Sequence, residues 1–240
     1  MLRIAFAALL VSAAPLFAQW TLDDKFKPLK PDDVVDVKST PAPEGAVVLF
    51  DGKSTDAWTK TNDKPVEWKL DEGHWEGVKG HGDIVTKEKF AGKFKLHVEF
   101  RVPYEPDNKG QGRGNSGVYL QGRYEVQVLD SYGLKSGKND CGAIYEVAAP
   151  KENVCKAPSV WQSFDIEFAA PTFDESGKKK TEPAHMTVHH NGVKVHDDAK
   201  VDTDNTRAGL GGDPSMPGPI MLQDHGHPVQ FRNIWLLPTK

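Results

Sequence analysis

Apolar and polar residues alternate with a period of two along most of this chain. The clearest run is 94–102, where Phe94, Leu96, Val98, Phe100 and Val102 fall on one side and Lys95, His97, Glu99 and Arg101 on the other. That is the pattern of a strand with one buried face. Segments 116–121, 124–130, 163–170, 184–196 and 229–237 read the same way, with shorter apolar runs at 46–50, 67–77 and 82–86. Asn191-Gly192, between two alternating halves, is a two-residue hairpin signal. No window sustains a 3.6-residue period over about a dozen residues. With 22 Gly and 17 Pro as punctuation, the pattern predicts an all-β fold, a β-sandwich of two antiparallel sheets or a jelly roll. Segments 177–180 and 202–219 are expected to be exposed loops, and no internal repeat is visible.

The two ends depart from this pattern. Residues 1–18 have a basic start at Arg3, an apolar run, and Ala18 before a plausible cleavage point with Leu16 at −3. This reads as an export signal, so a periplasmic or secreted protein is expected. The run is short of the roughly 20 residues of a membrane span, and an uncleaved anchor is the alternative. Residues 19–44 carry Pro28, Pro31, Pro41 and Pro43 without a period, which suggests a linker or surface strap; the domain is expected over 45–240. Cleavage leaves 29 basic against 34 acidic residues. That balance argues against a nucleic-acid partner, and no later segment is apolar for long enough to cross a bilayer. In an exported chain the two cysteines, Cys141 and Cys155, read as a disulfide, the alternative being two buried free thiols.

In segment 124–130, Tyr124, Val126 and Val128 suit a core, which puts Glu125 and Gln127 together on the other face, about 7 Å apart. Asp130 has the wrong parity for that face unless the strand end twists. Retaining glycosidases place two carboxyl groups ~5 Å apart. With Gln at 127, Glu125 and Asp130 would have to serve, and they start farther apart. Other polar residues that could join Glu125 in a ligand site are Glu99, Arg101, Asn115, Ser116, Asp224, His225 and Arg232. His189 and His190 point to opposite faces of one strand and cannot chelate as a pair.

Six blocks carry a resemblance: "LFDGKSTDAW" (49–58), "FKLHVEFRV" (94–102), "GNSGVYLQGRYEVQVLDSYG" (114–133), "CGAIYEVAAP" (141–150), "VWQSFDIEF" (160–168) and "IMLQDHGHPVQFRNIWL" (220–236). In this order they resemble the 3-keto-disaccharide hydrolase family over about 45–238. Gln162 stands where that family often has Asn, and Cys141 where Thr is common. The resemblance implies a concanavalin- or laminarinase-like jelly roll and an enzyme acting on 3-keto-glycosides, made by a partner oxidoreductase. A C3 ketone acidifies the C2 proton, so a base, an acid for the leaving oxygen and a stabiliser of the enolate would suffice. On that reading His225 is the expected base, since imidazoles titrate near neutral pH. Glu125 is the expected acid, or an alternative base, and Asp130 and Asp224 would orient His225 or hold a cation. Arg101 and Arg232 would stabilise the enolate or bind hydroxyls, and Trp161 and Tyr145 would stack on the sugar. A hard divalent metal would also suit such donors. The alternatives are a lectin-like carbohydrate-binding module and an ordinary endo-glucanase.

Overall fold

The computed structural model describes residues 26–239; the expected export signal lies outside the described residues. Fifteen strands follow in chain order. They are β1 (Val47–Phe50), β2 (Trp58–Lys60), β3 (Lys69–Asp71), β4 (His74–Glu76), β5 (Ile84–Thr86), β6 (Lys93–Arg101), β7 (Ser116–Leu120) and β8 (Tyr124–Val128). After a long connection come β9 (Gln162–Ala169), β10 (Thr172–Phe173), β11 (Lys180–Glu182), β12 (Ala184–His190), β13 (Val193–Val201), β14 (Met221–Leu222) and β15 (Gln230–Thr239). One sheet runs β13-β12-β9-β6-β15-β4-β3, with β1 also paired to β15. The other runs β2-β5-β14-β7-β8, and β10-β11 form a separate hairpin. Pairing is antiparallel throughout, so the protein is the expected two-sheet β-sandwich.

The alternation explains the layers. Phe94, Leu96, Val98 and Phe100 of β6 and Phe164, Ile166 and Phe168 of β9 point from the large sheet into the core. Val118 and Leu120 of β7 and Tyr124, Val126 and Val128 of β8 meet them from the five-stranded sheet, all fully buried. Tyr124 and Phe168 touch across the sandwich with ring centroids 5.5 Å apart. Each such side chain contributes about 1.5–3 kcal/mol of burial. At the β12–β13 turn Asn191 (φ 52°) and Gly192 (φ 80°) adopt the left-handed conformation that a two-residue turn of this hand requires.

Strands β2, β14 and the β10–β11 hairpin were not legible in the sequence, because two or three residues cannot establish a period. Lys180, expected in a loop, begins β11. Residues 36–40 of the N-terminal segment lie on the outer face of the large sheet, and Phe26, Leu29 and Asp33 lie against Tyr132. The Val37 N–H donates to Trp161 O (3.1 Å), the Trp161 N–H to Asp36 (2.9 Å) and the Ser39 hydroxyl to Glu99 (2.5 Å). Cys141 and Cys155 are buried as two free thiols in hydrogen-bond contact. The expected disulfide is therefore not what the structure shows.

A candidate active site on the five-stranded sheet

In the β7–β8 ladder Tyr119 pairs with Glu125 and Gly117 with Gln127. The two-residue period therefore puts Tyr119, Gly117, Glu125 and Gln127 on the outer face. That face is not solvated: Glu125 is only 3% exposed and Gln127 1%. Two loops cover the free edge of β8. Gly142 N–H donates to Gln127 O and Gln127 N–H to Ala143 O (both 2.9 Å), while Tyr145 N–H donates to Glu125 O (3.1 Å). From the other loop the Thr206 hydroxyl oxygen accepts the Glu125 N–H (3.1 Å).

A pocket of about 100 Å³ remains between these loops. Of the residues singled out from the sequence, it brings together Glu125, His225, Gln127, Asn115 and Tyr145. Gln111, Arg207, Ala208 and Gln223 also line it and were not anticipated. Gln223 sits one residue before the Asp224-His225 block and could have been included with it. Gln111 and Arg207 come from loops that carry no periodic signal.

Burial pushes the Glu125 carboxyl up from its ordinary 4.5 to about 8. A hydrogen bond from Tyr119 acts in the opposite direction, and the negative charges of Glu146 and Asp83 add to the rise. The acid is thus held protonated at neutral pH, the state a proton donor needs. Tyr119 is itself pushed up, first by burial and then by the charge of Glu125. Its hydroxyl accepts a hydrogen bond from Gln223 Nε2 (3.1 Å). Gly117 leaves the room in which Glu125 sits: a Cβ there would lie 2.5 Å from Glu125 Oε1 and 2.7 Å from Tyr119 Cε2. Gln127 Nε2 donates to Gln111 Oε1 (3.0 Å). The side-chain oxygens of Gln127 and Gln223 are buried with no partner. Two idle acceptors in a pocket wall suit a ligand rich in hydroxyl donors.

The remaining expected residues do not join this pocket. Asp130 is buried in an ion pair with Arg113 (3.0 Å), and its carboxylate accepts the Tyr132 N–H (3.2 Å). Asp224 accepts N–H bonds from Gly82 (2.8 Å) and Gly226 (2.9 Å), so it shapes the His225 loop. The Ser116 hydroxyl donates to Gln223 O (2.7 Å). Glu99, Arg101, Trp161 and Arg232 belong to the outer face of the large sheet, on the far side of the sandwich. There Arg101 and Arg232 stack on Trp161 at 4.7 and 4.1 Å, and Arg232 pairs with Glu99 (2.7 Å). This corrects the expectation that the arginines serve beside Glu125. The polar parity of β6 and β15 was right, but parity does not say which of a sandwich's two outer faces is meant.

A larger hollow of about 830 Å³ lies on the same sheet, with Thr59, Val85 and Arg123 in its wall. It shares no lining residue with the Glu125 pocket, and its two carboxyl groups, Asp63 and Asp213, are exposed to solvent rather than buried. The chemistry therefore points to the smaller pocket. That pocket offers a hard cation one imidazole, several amide oxygens and the Glu125 carboxyl group, which would have to give up its proton to bind. Among the described residues, the one place where three His, Cys, Asp or Glu donors converge is elsewhere, at Cys141, Cys155 and His190.

A β-sandwich with a protonated acid, a histidine and idle hydroxyl acceptors in one pocket belongs with carbohydrate-active jelly rolls. The 3-keto-alpha-glucoside-1,2-lyase-like domain model matches residues 45–237, and the chain belongs to that family. It is similar to a crystal structure of a "putative glycosyl hydrolase" from Parabacteroides distasonis, with 38% identity, 83% of this chain and 86% of that one covered, and a TM-score of 0.75. Two more structures from that organism with the same description share the fold. One is 21% identical, covers 82% of this chain and 95% of its own, and has a TM-score of 0.58. The other is 24% identical, covers 81% and 99%, and has a TM-score of 0.55. No curated protein matches the chain.

Proposed function

We propose that the protein cleaves 3-keto-glycosides by elimination at the Glu125 pocket. His225 removes the C2 proton, which the neighbouring ketone has made acidic, and the C2–H electrons pass into an enolate on the C3 oxygen. The enolate then re-forms the ketone and makes a C1–C2 double bond, and the C1–O bond breaks. Glu125 gives its proton to the departing oxygen, so an alcohol leaves and an enone remains. Addition of water across C1–C2 returns a 3-keto sugar, and the net change is hydrolysis. Gln127, Gln223 and Asn115 hold hydroxyls, and Arg207 supplies the positive charge that favours the enolate. Tyr145 offers a face for the ring.

The observation that carries this reading is the buried Glu125 carboxyl, held near pKa 8 in the pocket that also contains His225. Double displacement on an ordinary glycoside needs an ionised nucleophile facing a second carboxyl group. Here Glu125 is the pocket's single carboxyl group, and its neighbour on the strand is Gln127. A lectin-like site would need acceptors and rings but gains nothing from a protonated acid. The ketone at C3 has to come from an oxidoreductase acting on the glycoside beforehand.

The test is release of aglycone from a 3-keto-glucoside. Wild-type protein turns it over, whereas Glu125→Gln and His225→Ala lose about 100-fold or more in kcat. Saturable binding without turnover would establish the binding module instead. Full activity in both variants would move the chemistry out of this pocket.

A further inference from the structure

The thiols of Cys141 and Cys155 share the interior with His190, the last residue of β12. His190 is fully buried, its ring edge-on to Phe164 at 4.8 Å. The state of that ring follows from its neighbours. The Gln162 side-chain oxygen accepts the Lys156 N–H (2.8 Å), which fixes it as the oxygen end of the amide. His190 Nε2 lies 3.0 Å from the same oxygen, so Nε2 carries the proton and donates. Nδ1 is then a bare lone pair, and it is buried with no partner. It faces the backbone beside Cys141: a Cβ on Gly142 would lie 3.4 Å from it. One donor atom from each of Cys141, Cys155 and His190 lies within 4.8 Å of the other two.

A buried nitrogen left without a partner is unfavourable, because it has given up its hydrogen bonds to water. A disulfide would use both sulfurs and leave that nitrogen idle. A metal ion uses all three atoms. Two thiols and an imidazole suit a thiophilic d10 cation, and zinc(II) binds such donors with the thiols deprotonated. The charge also closes: a divalent cation with two thiolates and a neutral imidazole is neutral overall, as a core requires. Gln162, holding Nε2–H, is the outer partner that sets ring orientation and tautomer at histidine-bound metals. We propose that Cys141, Cys155 and His190 form a structural binding site for one zinc-type cation. Loading exchanges two thiol protons for the cation, with no oxidation, and leaves one coordination position for a further ligand. It ties the 141–155 loop to β12. The same loop pairs with β8 beside Gln127, so the ion braces one wall of the Glu125 pocket without touching substrate.

The test is to unfold the full chain under reductant and refold it with cobalt(II), then separately with zinc(II). The proposal predicts one cobalt per chain with thiolate-to-metal charge-transfer absorption, two protons released per ion, and a higher thermal midpoint with zinc. His190→Ala should weaken binding about tenfold or more. Cys155→Ser should abolish the absorption, and because the wild-type titration decides by itself, poor folding of that variant would not obscure the answer. A reduced, folded protein with no such absorption and an unmoved midpoint would overturn the site. So would a Cys141–Cys155 disulfide in the natively isolated chain.

Discussion

Replacing Glu125 by glutamine should change how stability depends on pH, and the size of the change follows from the carboxyl's surroundings. In the folded protein Glu125 titrates near 8, against an ordinary 4.5. Between those values the folded state holds a proton that the unfolded state has lost. Stability therefore falls as pH rises through that window, at about 1.4 kcal/mol per pH unit for one such group. From pH 6 to pH 8 this one residue should cost about 2–3 kcal/mol. Glutamine has nearly the same shape and no charge to desolvate, so Glu125→Gln should lack the slope. Urea unfolding of both proteins at a series of pH values measures it. The difference in unfolding free energy, variant minus wild type, should climb by about 2–3 kcal/mol across the window. Parallel curves would mean that Glu125 is ionised in the folded protein like an exposed acid, and so is no proton donor at neutral pH.

Three further outcomes follow from the same geometry. With Glu125 as proton donor, kcat/KM on a 3-keto-glucoside should decline above about pH 8, and a flat profile to pH 9 would assign the proton to another group. Gly117→Ala would place a methyl 2.5 Å from Glu125 Oε1; a shift of that carboxyl by about 1 Å should lower kcat roughly 100-fold. Steady-state kinetics would check this, and an unchanged kcat would show that the position of Glu125 is not critical. Trp161→Ala removes the ring on which Arg101 and Arg232 stack, so thermal unfolding should show a loss of about 3–5 kcal/mol. Because this cluster lies on the opposite face from the pocket, KM should stay the same wherever the variant is folded, and a tenfold rise in KM would put Trp161 back in contact with substrate.

Much of the fold could be read from the chain because burial imposes a period. The alternation in β6 and the Asn191-Gly192 turn each specify a local geometry that survives unchanged in the sandwich. The site was legible to the extent that it sits on a strand: Glu125 and Gln127 share the outer face as their spacing requires. Their burial could not be read, because it comes from Thr206 and the 142–145 segment, which are distant in sequence and without periodicity. Arg101, Arg232, Glu99 and Trp161 have the residue types of a sugar site, yet they build a charged and aromatic cluster beneath the N-terminal segment. Strand spacing fixes which side of a strand a residue takes, whereas membership of a sheet depends on long-range pairing. For the same reason the spacing could show only that His190 does not chelate together with His189, and it is the folded chain that brings His190 to the two cysteines.

Catalysis turns on removal of the C2 proton, and deuterium reports on that step directly. A 3-keto sugar that lacks a leaving group at C1 can be incubated with the protein in heavy water and read by NMR. Deuterium should enter C2 with wild-type protein and not with His225→Ala. Cleavage of 3-keto-glucosides by a protein that leaves C2 unexchanged would contradict proton removal at C2.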